Sequence, residues 1–567
     1  MKLFLPFFLL LYLGYCPDMV GNDTVRIAPQ HFNVDHAKKL IVSNQPLAFL
    51  NQNWPLLKTH IFLRELCLFD PAVNQLEPGK AYPIYIPSID DHYQIFFTGL
   101  PMVRISSPDS IVDLQKVPAF FTLTEPNGNQ IQSHAGIEYR GGYSQILPKK
   151  SMELEFWTDA SGQTTIDRSL LGMTNDDDWN LQAMANEPLR IRSKTNFDLW
   201  RQIHPLYYQA QEPDAINGIR MAYVELFLNQ QYRGLYCIGE KINRKQLKLK
   251  SHNGSIRGEL YKGVSWDSAC TFRNAPPFSN DSLTWSGFEY KHPEEVTNWA
   301  NLFQLIQFVT TASADSFYSF YPQYFKKENL VDYYIFLNLL RASDNTGKNI
   351  YIARYNTNHP YFYIPWDLDG TFGTVWDGSR EPTSNDLLSN GFYDRLRHDC
   401  QPGGFWDLLK SKWNTLRSSM LTKELLMQRF RQQHDFLLQN GVYHREKLAW
   451  PDYQYDSTGL AYMEEWVGNR LNFLDQAFSG NCQPVNTQEI SADQKQSSYI
   501  WPNPGTGTFT LNFKSTGPKR FTISNTLGQV VHQGFCAEIP CEIKISDLPD
   551  GIYYLQAGSE FYSETIR

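Results

Sequence analysis

Between Asp344 and Asp369 the chain carries four oxygen-bearing side chains at spacings that suit a single site. Asn349 follows Asp344 by five positions, and Asp367 follows it by 23. Mg²⁺ is held by hard oxygen ligands, one or two carboxylates together with phosphate oxygens, and Mn²⁺ accepts a similar set. Asn349, Asp367 and Asp369 are the candidate metal ligands. Asp344 is the candidate group to accept or orient a hydroxyl proton. The run Asp367-Leu-Asp369-Gly370 also touches on a calcium loop. It lacks a third ligand before the glycine and a bidentate Glu at the loop's end, which argues against an EF-hand.

The elements around these residues are legible from periodicity. Leu330, Tyr333, Tyr334, Leu337 and Leu340 recur at helical spacing and predict a helix with one apolar face. Asn349 to Tyr355 is rich in β-branched and aromatic residues and predicts a strand. Asn356 to Pro360 is turn chemistry, and Tyr361 to Ile364 predicts the return strand. The polar residues therefore fall at element ends, where they can converge on a ligand. The order resembles a protein-kinase catalytic core: a catalytic-loop Asp, a metal-binding Asn five residues on, a hairpin, then a metal-binding Asp. That resemblance implies phosphoryl transfer.

Composition narrows the classes. The 567 residues allow several domains and at least one large core. Net charge is −8 with no long basic run, which argues against nucleic acid as a main partner. The basic cluster from Lys241 to Lys250 reads as a solvated face. Residues 1–16 read as a signal peptide: Lys2, then a short apolar run from Leu3 to Leu13. No other apolar stretch approaches about 20 residues, so no transmembrane helix is expected. The eight cysteines show no zinc spacing. Cys536 and Cys541 are close enough for a small-loop disulfide in an exported protein.

The chain then divides into a β-rich N-terminal region (17–85), a large mixed domain (86–480), a polar linker (481–498) and a C-terminal module (499–567). In the last, alternating apolar residues with Gly, Pro and Asn punctuation predict a small antiparallel β-sandwich. Pro502-Asn-Pro504, Leu527-Gly-Gln529 and Asp547-Leu-Pro-Asp-Gly-Ile-Tyr553 resemble the C-terminal sorting domain of the type IX secretion system of Bacteroidetes. The resemblance implies type IX secretion machinery as a partner, and surface attachment or release.

In the large domain, strands dominate to about residue 265 and helices follow, which predicts a two-lobed α+β architecture. Four ordered stretches resemble the CotH family, named for a spore-coat protein and regarded as atypical kinases. They are Arg140-Gly-Gly to Ser151, Asp178-Trp-Asn-Leu181, Val224 to Glu240, and Ile364-Pro-Trp-Asp-Leu-Asp369 to Gly373. The resemblance implies a kinase-like fold, ATP and Mg²⁺ or Mn²⁺. It makes Lys149 or Lys150, one of which alternation would turn to the cleft, a partner for ATP phosphates. Arg192 would bind phosphate or pair with a carboxylate. Glu240 would lie near the adenine side or cap the following segment. Asp344 becomes the base and Asp367 the metal ligand, with Asn349 and Asp369 beside it. Glu187-Pro188 and Ser193 depart from the family pattern, and the usual His-containing loop is absent around Asn345.

Two functions follow. One is an exported kinase that phosphorylates Ser or Thr of a secreted or surface protein. The other is a non-catalytic surface or adhesion protein on a retired kinase-like fold.

Overall fold

The computed structural model describes residues 23–55 and 57–483, and strand segments between 499 and 566. The signal-peptide reading at 1–16, most of the linker, Pro502-Asn503-Pro504 and Leu527-Gly528 lie outside the described residues. The chain forms two compact units, one ending at Cys482 and one beginning at Gln483.

The first unit opens with a seven-stranded mixed sheet. Its fifth strand in spatial order, Asp91–Phe97, pairs with Ala81–Ile86 on one side and Leu40–Ser43 on the other. The sheet therefore runs past residue 85, the boundary expected from sequence. Asp91, His92 and Gln94 leave the first part of that strand exposed or half-buried, so it reads as polar loop.

A closed barrel of seven strands follows. Strands Gln130–Arg140, Ser151–Trp157, Asp178–Gln182, Gln231–Gly239 and Met221–Leu228 lie in that spatial order, and Met102–Ser106 and Val117–Thr124 complete the ring. Alternate residues, among them Ile137, Met152, Leu154, Trp179, Leu181 and Ile238, fill the interior and are fully or nearly fully buried. The opposite alternation, Ser151 and Glu153, faces outward toward the second lobe.

The second lobe contains, among the described residues, a five-stranded antiparallel sheet and the helices between Ala300 and Ser479, seven of them of eight residues or more. The sheet places Glu259–Gly263 beside Ile350–Arg354, which pairs in turn with Tyr361–Pro365. The helix Lys327–Leu340 runs beneath this hairpin. It is buried on every side from Asn329 to Leu340, not on one face as its apolar spacing suggested. Most of its polar residues are bonded inside. Asn329 exchanges two hydrogen bonds with the Tyr363 backbone, and Asp332 meets His204 and Lys412. A disulfide joins Cys400 to Cys482 and ties the end of this unit to its helices.

The second unit is a small antiparallel β-sandwich of one three-stranded and one four-stranded sheet. Phe509, Leu511 and Ile543 of one sheet share a core with Phe521, Ile523 and Leu555 of the other. Cys536 and Cys541 are disulfide-bonded, as their spacing suggested. No helix among the described residues is long and apolar enough to cross a membrane.

Candidate active site

A cavity of about 820 Å³ lies between the barrel and the second lobe. Arg140, Gly141, Gly142 and Glu153 line it from the barrel. Lys262, Asp344, Asn349, Asp367 and Asp369 line it from the other side. The four residues singled out by their spacing thus face one space.

Local backbone chemistry explains how. Asn349 and Asp367 stand at the entry and exit of the hairpin with φ of 55° and 56°. Asn and Asp enter this left-handed region more readily than other side chains, because they are short and polar. Asn345, next to Asp344 and buried, donates to the carbonyls of Asn349 (2.8 Å) and Trp366 (2.6 Å). One amide therefore clamps both hairpin ends beside the candidate base. The loop after Asp367 is held from the helix Arg192–Ile203, where Asn196 donates to Leu368 O and Thr371 Oγ1, each at 2.8 Å. Asp369 accepts from the Asn186 amide at 2.7 Å and from Gly370 N–H at 2.8 Å.

Asp344 and Asp367 have no hydrogen bond and no ion pair within 4 Å among the described residues. Partnerless carboxylates beside an amide oxygen form the donor set that a hard divalent cation takes up. The donor types present, carboxylate and amide oxygen, are those that Mg²⁺ and Mn²⁺ take.

The family described as CotH kinase protein matches residues 137–474. The chain belongs to the CotH family. Residues 499–566 match the secretion system C-terminal sorting domain. No curated protein matches the chain.

In the cavity of the CotH domain, burial sets the electrostatics first and neighbouring charges second. Burial pushes the Asp344 carboxyl up, Lys348 pulls it back and Asp367 adds to the rise. Burial and then Asp367 push Asp369 up to about 7. The carboxylates of Asp344, Asp367 and Asp369 do not draw together into a cluster within 4.8 Å.

Four of the expected residues do not line the cavity. Lys149 turns into the protein, where its ammonium meets both oxygens of Glu446 (2.9 and 2.8 Å) and the Leu235 carbonyl. Glu446 is fully buried and also pairs with Arg190 at 3.1 Å, so its charge claims two cations. Lys150 bonds the carbonyls of Gln145 and Leu147. The strand begins only at Ser151, so alternation does not govern either lysine. Arg192 pairs with Glu187 at 3.6 Å and donates to Thr371 O at 3.0 Å, a structural role. Glu187 accepts from Ile191 and Arg192 N–H, each at 2.7 Å, and so caps the helix. Glu240 is taken up by the Arg220 guanidinium and by the N–H groups of Arg220 and Thr174.

Arg140 and Lys262 are the cations that sequence reasoning left without a role. Both lie over the ring of buried Trp366, at 5.5 and 5.9 Å. Neither has an ion pair within 4 Å among the described residues. Burial, and then Arg140, pull the Lys262 pKa down, a cost that a bound anion would remove. Arg140 sat in a motif that resembled the family. Lys262 carried no signal, being a single lysine in a strand that only the sheet brings beside Asn349.

A second cavity of about 810 Å³ shares Arg140, Glu153, Lys262 and Trp366 with the first. The segment from Lys241 to Lys245, which leaves the barrel, lines it. Near it, Asp167, Asp176 and Asp177 form the one cluster of three acids among the described residues close enough for a metal. The Lys245 ammonium sits among them at 2.8, 3.3 and 2.5 Å and supplies the charge a cation would bring.

Proposed function

We propose that the CotH domain transfers the γ-phosphoryl group of ATP to a Ser or Thr hydroxyl of a secreted or surface protein, with Mg²⁺ or Mn²⁺. The observation that carries this reading is the convergence of Asp344, Asn349, Asp367 and Asp369 on one cavity, with Asp344 and Asp367 left unpartnered. Asn349, Asp367 and Asp369 would hold the metal, which neutralises phosphate charge when bound. Asn345 and Asn186 orient these ligands. Arg140 and Lys262 take the place that the family resemblance gave to Lys149 and Lys150, and bind phosphate oxygens. Gly141 and Gly142 let backbone N–H groups approach the same oxygens. Asp344 takes the proton of the acceptor hydroxyl as its oxygen bonds to the γ-phosphorus and the bond to the β-phosphate oxygen breaks.

The sorting domain supports export. We infer passage through type IX secretion machinery after removal of residues 1–16. A non-catalytic surface role draws on one observation: Lys149, the lysine offered to nucleotide by resemblance, is committed to Glu446.

The test is transfer of labelled γ-phosphate by the full chain with Mg²⁺ and with Mn²⁺, beside Asp367→Ala. Labelling of the chain or of a generic protein, lost in the variant, is the expected result. No labelling, together with no thermal shift from nucleotide and metal, would leave the non-catalytic role.

A further inference from the structure

The sequence has 14 tryptophans. Among the described residues only Trp266 and Trp376 are exposed, each by 49%, and both line the candidate active cavity. Exposed indoles cost free energy in water and commonly mark contact surfaces. Neither ring is loose. Tyr143 meets Trp376 edge-on at 4.7 Å, and the Lys348 ammonium stands 5.1 Å over Trp266. The Trp376 carbonyl accepts from Asn186, the residue that also holds Asp369. The rim is thus continuous with the carboxylates below it.

Its charge is negative. Each tryptophan is followed by an exposed Asp, Asp267 and Asp377. The Ser379 side chain and then its N–H hold the Asp377 carboxyl below its usual value. Unpartnered Asp344 and Asp367 lie within the cavity. Against these stand Lys348 and Arg380, and Arg380 is already paired with Asp456 at 2.7 Å. Arg140 and Lys262 lie on the wall shared with the second cavity, whereas Trp266 and Trp376 line the first cavity alone. The anion-binding cations and the aromatic rim therefore occupy different parts of the site.

We propose that this rim docks the acceptor, and that the acceptor is a polypeptide segment with Lys or Arg close to its hydroxyl residue. Indole faces and neighbouring carboxylates together select a cationic side chain. This inference rests on the proposed function for the identity of its occupant.

The experiment is an array of Ser- and Thr-centred peptides with every residue type scanned at each flanking position, probed with the full chain. Retention is read without nucleotide, and transfer is read in parallel with ATP and Mg²⁺. Wild type is expected to retain peptides with Lys or Arg at a flanking position. Trp266→Ala and Trp376→Ala should each weaken retention by roughly tenfold, the size of one cation–π contact in a partly desolvated site. Asp267→Asn/Asp377→Asn, confined to exposed side chains, should lose the basic preference while keeping the fold. An acidic preference, no preference, or a profile unchanged in all variants would overturn the proposal. Rim-dependent retention of basic peptides with neither transfer nor a nucleotide-dependent thermal shift would instead uphold the docking surface and overturn the kinase reading.

Discussion

Asp344 combines three properties of a proton acceptor: it faces the cavity, lacks a partner, and has a carboxyl raised above its usual range. Asp344→Asn keeps shape and removes basicity. Transfer should fall by roughly 10²- to 10⁴-fold, with the nucleotide and metal thermal shift retained. Full transfer by this variant would show that another group is the base. The acids around Lys245 behave differently. Burial and then Asp177 push Asp176 up to about 6, above its value in the unfolded chain. The folded state therefore binds the extra proton between about pH 4 and 6, so stability declines as pH rises through that window and the cost persists above it. Asp177, which shares that contact, is held below the usual carboxylate range and works in the opposite sense, so Asp176→Asn should move stability at pH 7.5 by no more than about 1 kcal/mol. It should leave any Mg²⁺ response intact. Loss of that response in Asp176→Asn would place a functional metal at the wrong cluster.

At the scale of elements, the short helix Val442–Ala449 does more than its eight residues suggest. It drives two adjacent charges into the protein. Arg445 pairs with Glu225, and Glu446 pairs with Lys149 and Arg190. Gly234, at φ 79°, is required there because a Cβ would collide with the Glu446 carboxylate. Lys149→Met leaves that carboxylate with half its compensation. A loss of about 3–5 kcal/mol in denaturant unfolding is expected. Unchanged stability with weakened nucleotide binding would return Lys149 to a phosphate role. The hairpin from Asn349 to Pro365 was readable from sequence, since its pattern is local. The barrel was not. Its closure joins Asp178–Gln182 to Gln231–Gly239 and sets Met102–Ser106 parallel to Met221–Leu228, pairings between strands far apart in sequence.

At the scale of the molecule, the chain is an exported type by its sorting domain, with a CotH domain in its larger unit. The Cys400–Cys482 disulfide closes a loop of 82 residues at the end of that unit. Cys400→Ser/Cys482→Ser should lower its stability by about 2–4 kcal/mol, mainly by freeing the unfolded chain. A melting temperature that is unchanged, and insensitive to reductant, would count against the pairing. Cys67, Cys237 and Cys270 are buried free thiols, so reductant should act through the two disulfides.

Sequence by itself determined the parts that local pattern encodes. These are the Asp344, Asn349, Asp367 and Asp369 set, the helix and hairpin that space it, and the sandwich of the C-terminal module. Tertiary structure alone decided which cations meet the cavity. Lys149 and Lys150 have the right residue type beside a glycine turn, but a buried carboxylate about 300 positions away claims the first, and backbone carbonyls claim the second. Lys262 reaches the site because its strand pairs with Ile350–Arg354. A charge goes where desolvation is best compensated, and the compensating group is set by the fold, not by the neighbouring residues.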